Sequence, residues 1–295
     1  MRSSFLAVSA LLAAPLLASA EGAAYKFDRA IYFDEKEAPL KAPEGVACAD
    51  SSVVVADTGN GRLLLFGFRD GTLGAGAELK IPQLPYPVRL QIDRQGDLLV
   101  LDRKARKIGK VDARRTFAGW LEPKGVADGS AVNPVAFKLD AADNVFLLDV
   151  AGSRVLVLEP GGKVKREIPL PRSGAFTDVA VDGSDRVYVA DGAAARIWVA
   201  EKGASSFQPF TPEMRDRMSF PGYVYVDRGR LLVVDQNGMG VVILGMDGTY
   251  QSRELSLGWS AGNVLYPAQI CLTPSGDAFL ADRQNHRVQV FTVRR

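Results

Sequence analysis

The sequence predicts an all-β fold, a six-bladed β-propeller built from four-stranded antiparallel blades. Three observations predict it. A short unit recurs six times: an apolar strand ending in Asp, a polar turn, then a second apolar strand, usually opened by a basic residue. The strand-ending residues are Asp57, Asp102, Asp149, Asp191, Asp235 and Asp282, spaced 45, 47, 42, 44 and 47 residues apart. No long segment carries helical periodicity, whereas Val, Leu, Ile, Tyr and Phe runs alternate with Gly, Asp and Asn turns. A period near 45 with four strands per unit is the signature of blades stacked radially about an axis.

The first strand of each unit begins about 15 residues before the Asp, usually at a proline: Pro43, Pro87, Pro134, Pro221 and Pro267, with Phe176 in the fourth unit. A turn such as "DRQGD" (93–97) leads to the second strand, which the Asp ends. Five residues later stand Arg62, Lys107, Arg154, Arg196, Gly240 and Arg287 at the start of the third strand. The hairpin is expected to join carboxylate and guanidinium as exposed structural turn pairs: Asp57 with Arg62, Asp149 with Arg154, Asp191 with Arg196, and Asp282 with Arg287. A more polar fourth strand, as in "GKVKREIPL" (162–170), closes the unit. The units run at about 43–86, 87–133, 134–173, 174–220, 221–266 and 267–295, in a single domain covering 21–295.

The sixth unit stops after its third strand. The segment "YKFDRAIYF" (25–33) is expected to pair with residues 286–293 and supply the missing outer strand, since an open edge would leave backbone groups unpaired. Cys48 and Cys271 lie on the first strands of the first and sixth units, which become neighbours only when the ring closes. A disulfide between them and a pair of free thiols both remain open.

Residues 1–20, "MRSSFLAVSALLAAPLLASA", have one Arg, an apolar stretch and a terminal Ala18-Ser19-Ala20, the pattern of a signal peptide cut after Ala20. The stretch is short and interrupted by Pro15, which argues against a transmembrane anchor. An exported chain, periplasmic or secreted, is expected. The 36 basic against 34 acidic residues leave a formal charge of +2, too little for a nucleic-acid footprint. A monomer without nucleic acid, whose partner is another envelope protein, is the expectation.

The copy "YPAQICLTPSGDAFLADRQNHRVQVF" (266–291), with Asn285-His286-Arg287 in its turn, resembles the NHL repeat; residues 43–68 follow the same pattern with Gly61 in place of His. The resemblance covers 43–295 and implies the propeller fold. Family members include enzymes, RNA binders, receptor sensor domains and scaffolds, so it leaves function open. Peptide-amidating zinc lyases of this type need several histidines, and this chain has one, His286, read here as a turn residue without a catalytic role. Propeller lactonases use Asp, Asn and Glu around a calcium-type ion; oxygen ligands are plentiful enough here that such an ion on the axis stays open, although no other cofactor is expected. No G-x-S-x-G elbow is present.

Two sets of residues are candidates for binding. Alternation along the first strands places Arg89, Lys138, Asp178, Tyr223 and Gln269 towards the axis, either as a ligand site at the channel mouth or as polar groups paired with one another. Longer connections between units carry Trp120, Phe210, Arg215, Arg217, Trp259 and Tyr266, residue types favoured at protein-binding hot spots. Residues 117–134 and 207–221 are expected to form the binding face. The reading is a scaffold for protein or ligand binding; its rival is a divalent-metal-dependent hydrolase or lyase at the channel mouth.

Overall fold

The computed structural model describes residues 25–293. The expected signal peptide lies outside the described residues. The described residues form six four-stranded antiparallel sheets arranged as a ring. Blade 1 comprises β2 (Gly45–Cys48), β3 (Ser52–Asp57), β4 (Arg62–Arg69) and β5 (Thr72–Leu79). Blade 2 comprises β6 (Pro87–Ile92), β7 (Leu98–Asp102), β8 (Lys107–Val111) and β9 (Phe117–Leu121). Blade 3 holds β10 (Pro134–Leu139), β11 (Val145–Asp149), β12 (Arg154–Leu158) and β13 (Val164–Pro169). Blade 4 holds β14 (Phe176–Val181), β15 (Val187–Asp191), β16 (Arg196–Ala200) and a two-residue outer strand, β17 (Gln208–Pro209). Blade 5 is β18 (Pro221–Asp227), β19 (Arg230–Asp235), β20 (Gly240–Gly245) and β21 (Tyr250–Glu254). Blade 6 joins β22 (Pro267–Leu272), β23 (Asp277–Asp282) and β24 (Arg287–Val293) to β1 (Tyr25–Ile31). No helix among the described residues is long and apolar enough to cross a membrane.

The second strands read as unbroken apolar runs because both of their faces are covered. "LLVLD", "VFLLD" and "VYVAD" are buried at every position. Each blade packs on both neighbours, and the core divides into six apolar clusters, one at each blade-to-blade seam. The upper face of the ring is the one carrying the Asp-ended hairpins and the connections between blades.

The repeated Asp does more than pair with a base. All six are at most 2% exposed. Each accepts a backbone N–H from the connection that leads into its own inner strand: Lys41 to Asp57 (2.7 Å), Tyr86 to Asp102 (2.6 Å), Asn133 to Asp149 (3.0 Å), Ala175 to Asp191 (3.1 Å), Phe220 to Asp235 (2.7 Å) and Leu265 to Asp282 (2.7 Å). The basic partner is variable. Arg62, Arg154 and Arg287 donate Nε to their aspartates at 2.7, 3.1 and 2.8 Å; the last two pairs are buried and the first is partly buried, rather than exposed as the sequence suggested. Arg196 does not pair with Asp191; its guanidinium lies over the Trp198 ring at 5.3 Å, while Asp191 accepts the turn amides of Ala193 and Ala194. Lys107 turns outward to Glu122. In blade 5, where Gly240 holds the basic position, Arg253 of β21 reaches Asp235 at 3.0 Å.

The turn position fourth after each Asp takes left-handed backbone in all six blades: Gly61, Arg106, Ser153, Ala195, Met239 and His286, with φ between 49° and 63°. Only one of these is glycine, so five turns tolerate a conformation that costs an L-residue about 1 kcal/mol. His286 is exposed and accepts the Ala42 N–H on Nδ1 at 2.9 Å, which ties the N-terminal segment to blade 6.

Closure of the ring rests on β1. It pairs antiparallel with β24, from Tyr25 opposite Val293 to Ile31 opposite Val288, with a bulge between Phe27 and Arg29. Tyr25 and Phe27 set their rings edge-on to Phe291. Cys48 and Cys271 form a disulfide across the seam between blades 1 and 6, with Cα atoms 5.7 Å apart, and Phe68 packs on Phe279 in the same seam.

Two outcomes are expected. Asp102→Ala orphans the Tyr86 and Ala105 amides, at about 1–3 kcal/mol for each buried group, whereas Lys107→Ala changes stability by less than about 0.5 kcal/mol; urea unfolding of the two variants checks the contrast. Replacing both cysteines by Ser lowers stability by about 2–5 kcal/mol, and deleting residues 25–33 exposes the β24 edge and drives self-association. Urea unfolding reads the first effect and gel filtration the second. A monomeric deletion protein as stable as its parent would show that β1 does not close the ring.

Candidate functional site at the upper face of the ring

The inner strands bring all five expected axial residues together. Arg89 of β6 crosses the channel and donates Nη2 to the Gly222 carbonyl of β18 at 3.0 Å; its Nε lies 3.9 Å from Asp178 Oδ1. Lys138 of β10 donates Nζ to the Tyr223 hydroxyl at 2.5 Å and lies over the Tyr223 and Tyr225 rings at 4.3 and 4.6 Å. Gln269 of β22 spans to blade 2, where its amide exchanges hydrogen bonds with the Leu90 backbone, and its Nε2 also reaches Tyr223 Oη at 3.3 Å. Asp178 accepts the Val224 N–H at 2.8 Å.

Lys138, Asp178, Tyr223 and Gln269 are buried, so the channel is plugged by polar groups that pair in part with one another; Arg89 Nε and Asp178 Oδ1, 3.9 Å apart, make no hydrogen bond. Burial pushes the Asp178 carboxyl up to about 6, against the pull of Arg89 and Lys138. Burial also lowers the Lys138 ammonium to about 8, with Asp178 opposing, and raises the Tyr223 phenol. This donor set does not suit a hard divalent ion, which calls for several oxygen ligands carrying negative charge. The axial carboxylate is Asp178, and it faces two cations. Among the described residues no group of three or more His, Cys, Asp or Glu side chains is gathered for a metal.

Above the plug the channel opens into a funnel of about 480 Å³. Arg89 lies at its floor, and Glu44, Arg103, Arg106 and Arg283 stand around its rim. Reading the first strands alone missed these rim residues. Arg103 and Arg283 directly follow their Asp, Arg106 occupies the left-handed turn position, and Glu44 follows Pro43. The signal was available: at the position after the Asp, two of the six units carry Arg where the others have Thr58, Val150, Gly192 and Gln236.

The connection residues divide differently from the expectation. Trp120 lies in β9, not in a loop, and packs on Phe117 with ring centroids 5.1 Å apart. Phe210 is half-buried against Tyr188. Arg215 and Arg217 are exposed, beside Glu213 and Asp216, and Arg217 lies over Tyr250. The two aromatics of the face expected from 117–134 and 207–221 are thus half-buried, Trp120 against Phe117 within the outer strand and Phe210 against Tyr188 of β15.

The exposed aromatics collect instead at the top of blade 6. Among the described residues the exposed large hydrophobics are Tyr32, Phe33, Leu257, Trp259 and Tyr266, and all fall on the two segments flanking that blade. Trp259 is 78% exposed. The loop that carries it is held rigidly from below. Asn285 donates to the Gly258 carbonyl at 2.9 Å. Arg287 donates Nη2 to the Ser260 and Asn263 carbonyls at 2.9 and 2.8 Å, and Nη1 to the Tyr32 hydroxyl at 3.0 Å. Gln289 donates to the Asn263 carbonyl and accepts the Gly262 N–H. The turn motif thus supports both aromatic segments at once.

The fold and this upper face define a six-bladed β-propeller. Residues 265–291, in the sixth blade of this propeller, match the NHL repeat. No curated protein matches it in sequence. Solved structures share the fold at low identity. Virginiamycin B lyase from Staphylococcus aureus aligns with a TM-score of 0.65 at 13% identity, over 91% of this chain and 99% of that one. A gluconolactonase from Xanthomonas campestris aligns with a TM-score of 0.67 at 16% identity, over 94% and 99%. A chain of a nidogen/laminin complex aligns with a TM-score of 0.60 at 16% identity, over 73% and 80%. These likenesses concern the fold.

The axial cluster generates a pH prediction. With its folded pKa raised, Asp178 holds a proton between pH 4 and 6 that the unfolded chain releases, so its contribution to stability falls as pH rises through that window. Lys138, with its folded pKa lowered, adds stability as pH rises from about 8 to 10.5. Asp178→Asn therefore removes the first slope: relative to the variant, wild type loses on the order of 2–3 kcal/mol between pH 4 and pH 7. Denaturant unfolding at both pH values measures it, and parallel profiles would contradict the assignment.

Proposed function

We propose that this chain is an exported scaffold of the cell envelope that docks a partner protein on the top of blade 6. One observation carries the reading. The large hydrophobics that stay exposed gather on two segments braced by the same arginine. Isolated exposed apolar residues are ordinary; a cluster on a pre-ordered loop marks an interaction surface. Trp and Tyr dominate the energetics of such surfaces. A propeller of this fold in a nidogen/laminin complex is consistent with the reading. The leader sequence supports export, and the near-neutral charge supports a protein rather than a nucleic-acid partner. The rival, a metal-dependent hydrolase or lyase, draws on two enzymes of the same fold, but Asp178 between Arg89 and Lys138 gives it little to work with.

The test is affinity capture from the native envelope with wild type and with a Phe33→Ala/Trp259→Ala double variant. The double variant should lose capture of a partner that wild type retains, with an unchanged melting temperature, while Trp120→Ala should lower stability and leave capture intact. Equal capture by wild type and the double variant would overturn the assignment of the surface.

A further inference from the structure

The funnel above the axial plug is separate from the blade 6 surface, and its chemistry is strongly one-sided. Four arginines line it, Arg89, Arg103, Arg106 and Arg283, against one carboxylate, Glu44. The whole chain carries a formal charge of only +2, so the bias is local. Glu44 is 3% exposed. It takes a two-point pair from Arg103, at 3.2 and 2.7 Å, and lies 3.4 Å from Arg283 Nε. That arrangement orients two guanidinium groups and neutralises only part of their charge. Arg106 forms no ion pair among the described residues and stands exposed on its turn.

Unsatisfied donors point the same way. Among the described residues the buried Nε atoms of Arg89 and Arg283 have no hydrogen-bond acceptor, and Asp178 Oδ1 below Arg89 has no donor. A buried donor left unpaired is costly, and an incoming acceptor would relieve it. Arg89 Nε faces Asp178 Oδ1 beneath the floor, 3.9 Å away, and Arg283 Nε stands at the rim, 3.4 Å from Glu44, so each donor is held only loosely by the carboxylate beside it.

The cavity is also polarised across the ring. Cations come from blades 2 and 6. On the opposite side, blades 3 to 5 contribute the half-buried Val135, Phe176 and Phe220, interspersed with the uncharged polar Asn133, Thr177 and Gln236. A ligand that matches both halves has an anionic head and an apolar body. The volume of about 480 Å³ suits a small organic molecule. We propose that the funnel binds an organic carboxylate, its acid group held by Arg103, Arg106 and Arg283 and its apolar body lying against Val135, Phe176 and Phe220. The planar guanidinium fork fits a carboxylate in two-point geometry, as Arg103 already demonstrates on Glu44. Glu44 remains in the site and repels a doubly charged phosphate more than a singly charged acid. The head could belong to a free acid or to the terminal carboxylate of a peptide; both present the same group.

The test is calorimetric titration of the full chain with 3-phenylpropionate, its amide 3-phenylpropanamide, inorganic phosphate and N-acetyl-Gly-Gly-Phe. The two carboxylates should bind at least tenfold more tightly than the neutral amide, and the tighter of the two identifies the source of the head. Arg106→Gln should weaken the acids at least fivefold without changing the melting temperature, because Arg106 supports nothing else in the fold. Arg283→Lys, which keeps the charge but loses the planar fork, should weaken them less than Arg283→Gln. Amide binding equal to acid binding would overturn the proposal. So would unchanged affinity in Arg106→Gln, displacement of the acids by an equal concentration of phosphate, or absence of binding by every probe at millimolar concentration.

Discussion

A buried aspartate at the end of each second strand holds this ring together. Its carboxylate takes an N–H from the connection leading into its own inner strand, sixteen or so residues upstream, and in most blades also caps the amides of the following turn. The connection is the backbone link to the preceding blade, joined between blades 6 and 1 by the Cys48–Cys271 disulfide. Anchoring it to the hairpin fixes how one blade follows the next, and so fixes the upper face. A buried charge survives here because it is surrounded by donors. The Arg five residues later is an accessory. Blade 4 replaces it by amides alone, and blade 5 brings Arg253 from another strand.

The same constraint creates the surfaces on which function depends. Once the connections are pinned, residues just after the Asp point over the channel, where Arg103 and Arg283 meet Glu44. In blade 6 the accessory Arg287 is used twice. Its Nε serves Asp282, and its other nitrogens hold the 260–263 carbonyls and Tyr32. A repeat device for stability has thereby become the support of an exposed aromatic loop. His286 sits in a left-handed turn shared by all six blades and accepts the Ala42 N–H, tying the N-terminal segment to blade 6.

The axis itself is closed for reasons of charge. Arg89, Lys138 and Asp178 approach from three blades, and Tyr223 and Gln269 fill the remaining space. Most of their polar atoms find partners across the axis, while Arg89 Nε and Asp178 Oδ1 stay 3.9 Å apart without a hydrogen bond, and burial moves Asp178 and Lys138 towards their neutral forms. Above this plug the channel opens into the funnel floored by Arg89.

Much of the architecture was legible in the chain because it depends on local periodicity. The Asp spacing, the strand-opening prolines and the truncated sixth unit announced six blades and a closing N-terminal strand, since pairing follows from alternation and an unpaired edge must be filled. The axial residues were legible for the same reason: inner strands alternate, so Arg89, Lys138, Asp178, Tyr223 and Gln269 share a face. What the chain could not announce depends on which blades become neighbours and how deeply each side chain sinks. Trp120 and Trp259 look alike in sequence, yet one packs on an outer strand and the other stands in solvent. Arg196 follows its Asp at the same spacing as Arg287, yet settles on Trp198. Glu44, Arg103, Arg106 and Arg283 lie on three different blades, and only ring closure gathers them around one cavity. Strand pattern is a property of neighbouring residues; burial and convergence are properties of the closed ring.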